Sequence, residues 1–150
     1  MKKHSFIIAA VFFIAISFVT ISCSKDDKTV APGITTAEVN TMITTGTWAV
    51  TLYDEAGIDH TSDFSGYAFA FNADKTLVAT ETVLTKNGTW NSTSESGKVK
   101  ITIDFTATET KGSFESISED WKVLTAVDSE ITLQHISDDK SIDLLTITKN

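Results

Sequence analysis

From Thr47 to the C-terminus, apolar and polar residues alternate with a period of two. That period places the apolar side chains of a strand on one face, and it does not fit the 3.6-residue repeat of a helix. The cleanest stretch is Lys98–Phe105, where Val99, Ile101, Ile103 and Phe105 alternate with Lys100, Thr102 and Asp104. Seven other segments read as strands: Thr47–Asp54, Tyr67–Phe71, Thr76–Thr82, Thr89–Thr93, Trp121–Val127, Glu130–Ile136 and Ile142–Thr148. Turn-forming residues separate them: Ala56-Gly57, Asn72-Ala73-Asp74-Lys75, Asn87-Gly88 ahead of the fourth strand, Ser96-Gly97, Asp128-Ser129 and Ser137-Asp138-Asp139-Lys140. Eight sequential strands without crossover helices predict an all-β antiparallel meander. Closing that sheet on itself buries one apolar face and removes the exposed edges, which gives an eight-stranded up-and-down barrel. A two-sheet sandwich is the competing fold.

Two segments break the rhythm. Thr36 is placed to cap a short helix, Ala37–Ile43, with Glu38 in its first turn and Val39, Met42 and Ile43 on one stripe; Gly46 ends it. Between Thr106 and Asp120, Ser113 is placed to cap a single turn holding Phe114 and Ile117.

The N-terminus reads as an address. Lys2, Lys3 and His4 precede an apolar run from Phe6 to Val19, which at about 1.5 Å per residue falls short of a ~30 Å bilayer core. This fits the apolar region of a secretory signal. Thr20-Ile21-Ser22-Cys23 then resembles a bacterial lipobox, with Thr20 where Leu is usual. The resemblance implies a signal peptide over 1–22 and acylation of Cys23. The acyl chains would anchor the protein to a lipid bilayer, at ~0.8 kcal/mol per buried CH₂. Residues 23–35, with Pro32 and Gly33, read as a tether, and 36–150 as the domain. Lys25-Asp26-Asp27 just after the Cys resembles the surface-export signal of Bacteroidota lipoproteins; a plain solvated charge run is the other reading. The expected location is the outer membrane, lipid-anchored, on its periplasmic or cell-surface face.

Charge narrows the partners. The 150-residue chain carries a net charge of −8 and contains no Arg. Nucleic acid is an unsuitable partner for it, because that affinity rests on phosphate neutralisation. Bidentate Arg recognition of anions is excluded. The single Cys excludes an internal disulfide and a Cys-rich metal site.

A short helix leads into Gly46-Thr47-Trp48. Downstream come Tyr67-Ala68-Phe69-Ala70-Phe71-Asn72-Ala73-Asp74, a second Gly88-Thr89-Trp90, Glu119-Asp120-Trp121 and Leu144-Leu145-Thr146-Ile147. From about Thr36 onward the chain is similar to the lipocalin-like lipoproteins of Bacteroidota. That resemblance implies a barrel whose open end binds small apolar molecules, with Trp48 as the structural plug of the closed end. It speaks to fold more firmly than to function.

Tyr67, Phe69, Phe71, Trp90, Phe105 and Trp121 are the candidate inner wall. They either line a pocket for a small hydrophobic ligand or fill the barrel outright, since an eight-stranded interior is just wide enough for side chains to close. The loop Asp54–Asp63, with four acids and His60, is either a metal site at the barrel mouth or a solvated connection; its spacing fits no calcium-loop motif. His135 shares parity with Ile131 and Leu133 and reads as a rim or buried histidine with a hydrogen-bond partner. Asp138-Asp139 reads as turn chemistry. No Gly-x-Ser-x-Gly, His-Glu-x-x-His or phosphate-loop pattern occurs, and Asn91-Ser92-Thr93 is a glycosylation acceptor only in other cellular settings. A carboxylate pair for glycoside hydrolysis depends on three-dimensional spacing, and no pair is singled out. The sequence therefore predicts a non-catalytic lipoprotein without cofactor or metal, binding an apolar ligand. The alternative is a filled barrel that docks a protein in an outer-membrane complex.

Overall fold

The computed structural model describes residues 33–106 and 112–150. Residues 1–32, with Cys23, the apolar run, Lys25-Asp26-Asp27 and nearly all of the tether, lie outside the described residues, as do 107–111. In chain order the elements are α1 (Thr36–Ile43), β1 (Trp48–Glu55), β2 (Ile58–Asp59), a 3-10 turn (Thr61–Phe64), β3 (Ala68–Phe71), β4 (Thr76–Glu81) and β5 (Leu84–Glu95). They continue with β6 (Lys98–Asp104), α2 (Ser113–Ser116), β7 (Asp120–Val127), β8 (Glu130–Ile136) and β9 (Ile142–Lys149).

Eight strands pair antiparallel in the order β1-β3-β4-β5-β6-β7-β8-β9. β9 returns onto β1, in register from Trp48↔Lys149 to Asp54↔Leu144. The sheet is a closed up-and-down barrel, not a sandwich. Its weakest seam is between β1 and β3, which meet only at Trp48↔Phe69. The chain covers that side of β1 with its own next segment. β2 pairs with Asp54 and Glu55, the His60 amide donates to the Tyr53 carbonyl at 2.8 Å, and the Tyr53 amide donates to Thr61 Oγ1 at 2.9 Å. An edge that would otherwise be open is satisfied locally.

Three local readings are corrected. The helix cap is Thr35, not Thr36: Thr35 Oγ1 accepts from the Glu38 amide at 3.2 Å while the Glu38 carboxylate accepts from the Thr35 amide at 2.8 Å. This reciprocal box satisfies two groups at the helix start, where a lone cap at Thr36 would satisfy one. Ser113 does not cap α2 either; Gly112 holds that position, and Ser113 Oγ donates to Asp63 Oδ2 at 2.8 Å. Asn87-Gly88 is not a turn. The β4–β5 reversal is Thr82-Val83, with Thr82 at φ 48°, and Gly88 lies inside β5 opposite Leu77. The reason is steric: a Cβ on Gly88 would sit 2.5 Å from the Asp104 carbonyl oxygen. Glycine is there because another backbone passes close by.

The interior holds the residues the alternation assigned to it, Val99, Ile101, Ile103 and Phe105 among them. α1 covers the end where β1 begins and β9 finishes, burying Val39 and Ile43. The 3-10 turn and α2 lie at the opposite end and bury Phe64 and Phe114.

Candidate functional site

The six candidate wall residues belong to or pack against one core cluster, in which their rings meet in three groups, two of them linked through Tyr53 and Phe64. Phe71 and Trp90 meet edge-on at 5.7 Å toward the α1 end. Trp121 packs edge-on against Tyr53 at 6.4 Å and against the His135 ring at 5.9 Å. Tyr67, Phe69 and Phe105 surround Phe114, whose ring lies 5.1, 6.0 and 4.9 Å from theirs, with Phe64 a fourth neighbour at 5.5 Å. All six are buried except Tyr67, which is half-buried. Phe64 and Phe114 were not foreseen as part of this assembly, and they are its hub.

Each tryptophan N–H is used. Trp48 Nε1 donates to the Ile43 carbonyl at the end of α1 (2.8 Å), and Trp121 Nε1 to the Ile117 carbonyl just past α2 (3.0 Å). Trp90 Nε1 donates to the Asn72 carbonyl at 2.9 Å, with the Lys75 ammonium 3.9 Å above its ring. Two of the three indoles therefore tie a helix end to the wall and satisfy a carbonyl the helix leaves free. Tyr53 does the same at the far end, donating from its hydroxyl to the Ser116 carbonyl at 3.2 Å. Burial pushes the Tyr53 phenol above its ordinary pKa, and nearby Glu55 adds to this, so it stays a neutral donor.

The loop Asp54–Asp63 resolves into a hairpin and the 3-10 turn. His60 lies between Asp63 (3.5 Å) and Glu55 (3.9 Å). Asp54 accepts from the Gly57 amide, and Asp59 from the Thr61 amide. These carboxylates do turn chemistry, and among the described residues no three His, Cys, Asp or Glu side chains converge on a metal position. His135 is a rim residue, with Nδ1 3.1 Å from the Asp120 carbonyl and Nε2 3.9 Å from Glu119. Asp143 is a buried carboxylate whose oxygens accept from the Ala56 amide at 2.9 Å and Ser137 Oγ at 3.3 Å, tying the β8–β9 hairpin to the β1–β2 turn.

A cleft lies on the outside of the barrel. It measures about 430 Å³ and runs over β6, β7 and β8 beside the β5–β6 turn. Lys98, Lys100, Lys122, Gln134, Glu95 and Asp120 line it, with His135 and Ile136 at one end. Register assembles it: Lys100 faces Lys122, and Lys122 faces Gln134. Lys100 is held by Asp120 (3.3 Å) and Glu95 (3.6 Å), and Asp120 also accepts from Thr102 Oγ1 at 2.6 Å. The Thr102 hydrogen bond, followed by Lys100, holds the Asp120 carboxyl below the usual carboxylate range.

The sign of that shift gives a pH prediction. A carboxyl whose folded pKa lies below its unfolded value of ~3.9 stabilises the fold fully above that value, and the contribution disappears as pH falls through the folded pKa. Asp120→Asn should therefore be less stable than wild type at neutral pH, and the difference should vanish in acid. Denaturant melts across pH 2–7 check this; a difference that persists or grows in acid contradicts it.

No protein-family model matches the chain, and no curated relative matches it. The fold is similar to that of a DUF4847 family protein from Bacteroides vulgatus, known from a crystal structure. The TM-score is 0.51 and the sequence identity 17%, over 75% of this chain and 97% of that one. The likeness is one of fold.

Proposed function

We propose that this protein is a lipocalin-like lipoprotein, acylated on Cys23 and anchored in the outer membrane. In this reading its barrel is a filled scaffold that presents its exterior to a partner, and it does not carry an apolar ligand inside. The observation that carries this is the Phe114 hub. Four rings close around one phenyl at the far end, while Trp48 and α1 occupy the near end. The aromatic residues expected to line a pocket are spent on one another and on helix carbonyls. Function then falls to the outside, as for other small barrels whose interior side chains meet.

The distribution of exposed apolar residues supports the same reading. Five of the seven exposed large apolar residues, Ile58, Val83, Leu84, Ile136 and Ile142, lie at the end away from α1, where Val83 reaches 89% exposure at a turn tip; the other two, Leu124 and Val127, are on β7. An exposed apolar end of this kind is a surface that a protein partner of an outer-membrane complex can bind. The protein acts here by binding, without catalysis.

Mass spectrometry of the full chain, extracted from its membrane in mild non-ionic detergent, tests the interior. The expected mass is that of the acylated chain alone. A stoichiometric apolar passenger released on denaturation would overturn the filled-scaffold reading in favour of a ligand carrier. The address is tested separately: globomycin should block processing, and Lys25, Asp26 and Asp27 changed to alanine should lose protease accessibility in whole cells.

A further inference from the structure

We propose that the cleft on the outer wall of β6, β7 and β8 is a binding site for a small hydroxylated anion, a sugar acid or sugar phosphate. The site is independent of the anchor and of what fills the barrel.

Charge supplies the first step. The chain as a whole carries −8, yet this cleft gathers three ammonium groups against two carboxylates. An anion repelled by most of the surface meets a locally favourable field there.

Pairing supplies the second step. Lys100 and Lys122 face each other across adjacent antiparallel strands on the outer face, an arrangement that destabilises a sheet unless something lies between the charges. Glu95 and Asp120 both turn to Lys100. That leaves Lys122 with a like charge on one side, Gln134 on the other, and no ion pair to an acid among the described residues. The contrast with Asp54↔Asp59, the like-charge pair of β1 and β2, is direct: there each carboxylate accepts an amide from its own turn.

The donor set then defines the ligand. Lys122 and Gln134, paired across β7 and β8 and both lining the cleft, supply an ammonium and an amide as donors for an anionic head group. Asp120 and Glu95, held by Lys100, line the same cleft and present carboxylate oxygens that accept from hydroxyl groups. Head group on one side and hydroxyl acceptors on the other describe a sugar bearing a carboxylate or phosphate. A volume of about 430 Å³ holds a molecule of that size, within the ~300–1,000 Å³ range of small-molecule sites.

The test is an amide chemical-shift titration of the full chain in non-ionic detergent with sodium glucuronate, glucose 6-phosphate, glucose and inorganic phosphate. Glucuronate or glucose 6-phosphate should move the amides of Lys98–Thr102, Lys122 and Gln134, and the stronger of the two identifies the head group. Lys122→Gln should weaken that binding by roughly tenfold or more, as expected for loss of a charged hydrogen bond. Lys75→Gln, at the opposite wall, should leave it unchanged. Three results would overturn the proposal. One is glucose acting as strongly as its acids. Another is inorganic phosphate acting alone, which marks an adventitious ion only. The third is an affinity that survives Lys122→Gln while the spectrum shows the fold intact.

Discussion

Replacing Trp48 by alanine should lower the free energy of unfolding by about 3–5 kcal/mol, the range for truncating a large buried aromatic. Trp48 is fully buried at the one point where β1 touches β3, and its partner there is Phe69. Its indole N–H holds the Ile43 carbonyl at the end of α1, and the Lys149 ammonium lies 5.3 Å over its ring. The side chain thus joins the helix, the barrel seam and the last strand. Trp48→Phe separates the two contributions. It keeps most of the apolar surface but leaves the Ile43 carbonyl without its donor, an effect of ~1–3 kcal/mol for a buried group. Amide exchange should rise across α1 in both variants, because a helix of eight residues does not stand alone. Chemical denaturation with fluorescence of the two remaining tryptophans measures the loss. A value under ~1 kcal/mol for the alanine variant would show that Trp48 is peripheral to the core.

Most of the barrel was legible because a half-buried strand states its own orientation. Val99, Ile101, Ile103 and Phe105 are buried as their alternation requires, and the two-residue Ser96-Gly97 turn, with both residues at positive φ, joins β5 to β6 where the sequence places it. The closure at the far end was not legible in this way. Phe64 and Phe114 sit singly among Ser, Gly and acidic residues in segments without a strand period, so no alternation directs them into the barrel. Their burial comes from docking on rings supplied by Tyr67, Phe69 and Phe105. An isolated Phe in a polar, turn-rich stretch was itself a usable signal, since such a side chain needs cover.

The capping box was also readable: Thr35-x-x-Glu38 is its signature, and it places the cap at Thr35 and not at Thr36. The wall cleft required register. Lys100 and Lys122 lie on different strands far apart in sequence, and only the pairing of β6 with β7 sets them opposite each other. Sequence spacing across such a separation carries no register.

Gly88 is where a local rule was overruled most clearly, and the effect of changing it should be correspondingly large. Asn-Gly between apolar stretches is the strongest short hairpin signal, yet here Gly88 pairs with Leu77 inside the longest strand of the barrel. Its φ is not in the left-handed region, so backbone freedom does not explain the residue. Space does. An added Cβ would meet the Asp104 carbonyl oxygen at 2.5 Å and the Phe105 ring at 2.7 Å. Neither can yield: one is backbone in the neighbouring strand, and the other is a fully buried ring pressed by Phe69 and Phe114. Gly88→Ala should therefore destabilise by about 3 kcal/mol, at the upper end of overpacking effects, and Gly88→Val by more. Intrinsic strand preference argues the reverse, since both replacements favour a strand over glycine. Gly97→Ala is the control: its φ is +75° but nothing lies within 4 Å of its Cβ position, so only a backbone cost of ~1 kcal/mol applies. Urea midpoints at constant slope rank the three variants. If Gly88→Ala proved neutral or stabilising, the close approach of the Asp104–Phe105 backbone and ring to β5 would be wrong, and with it the path of the strand that carries Trp90.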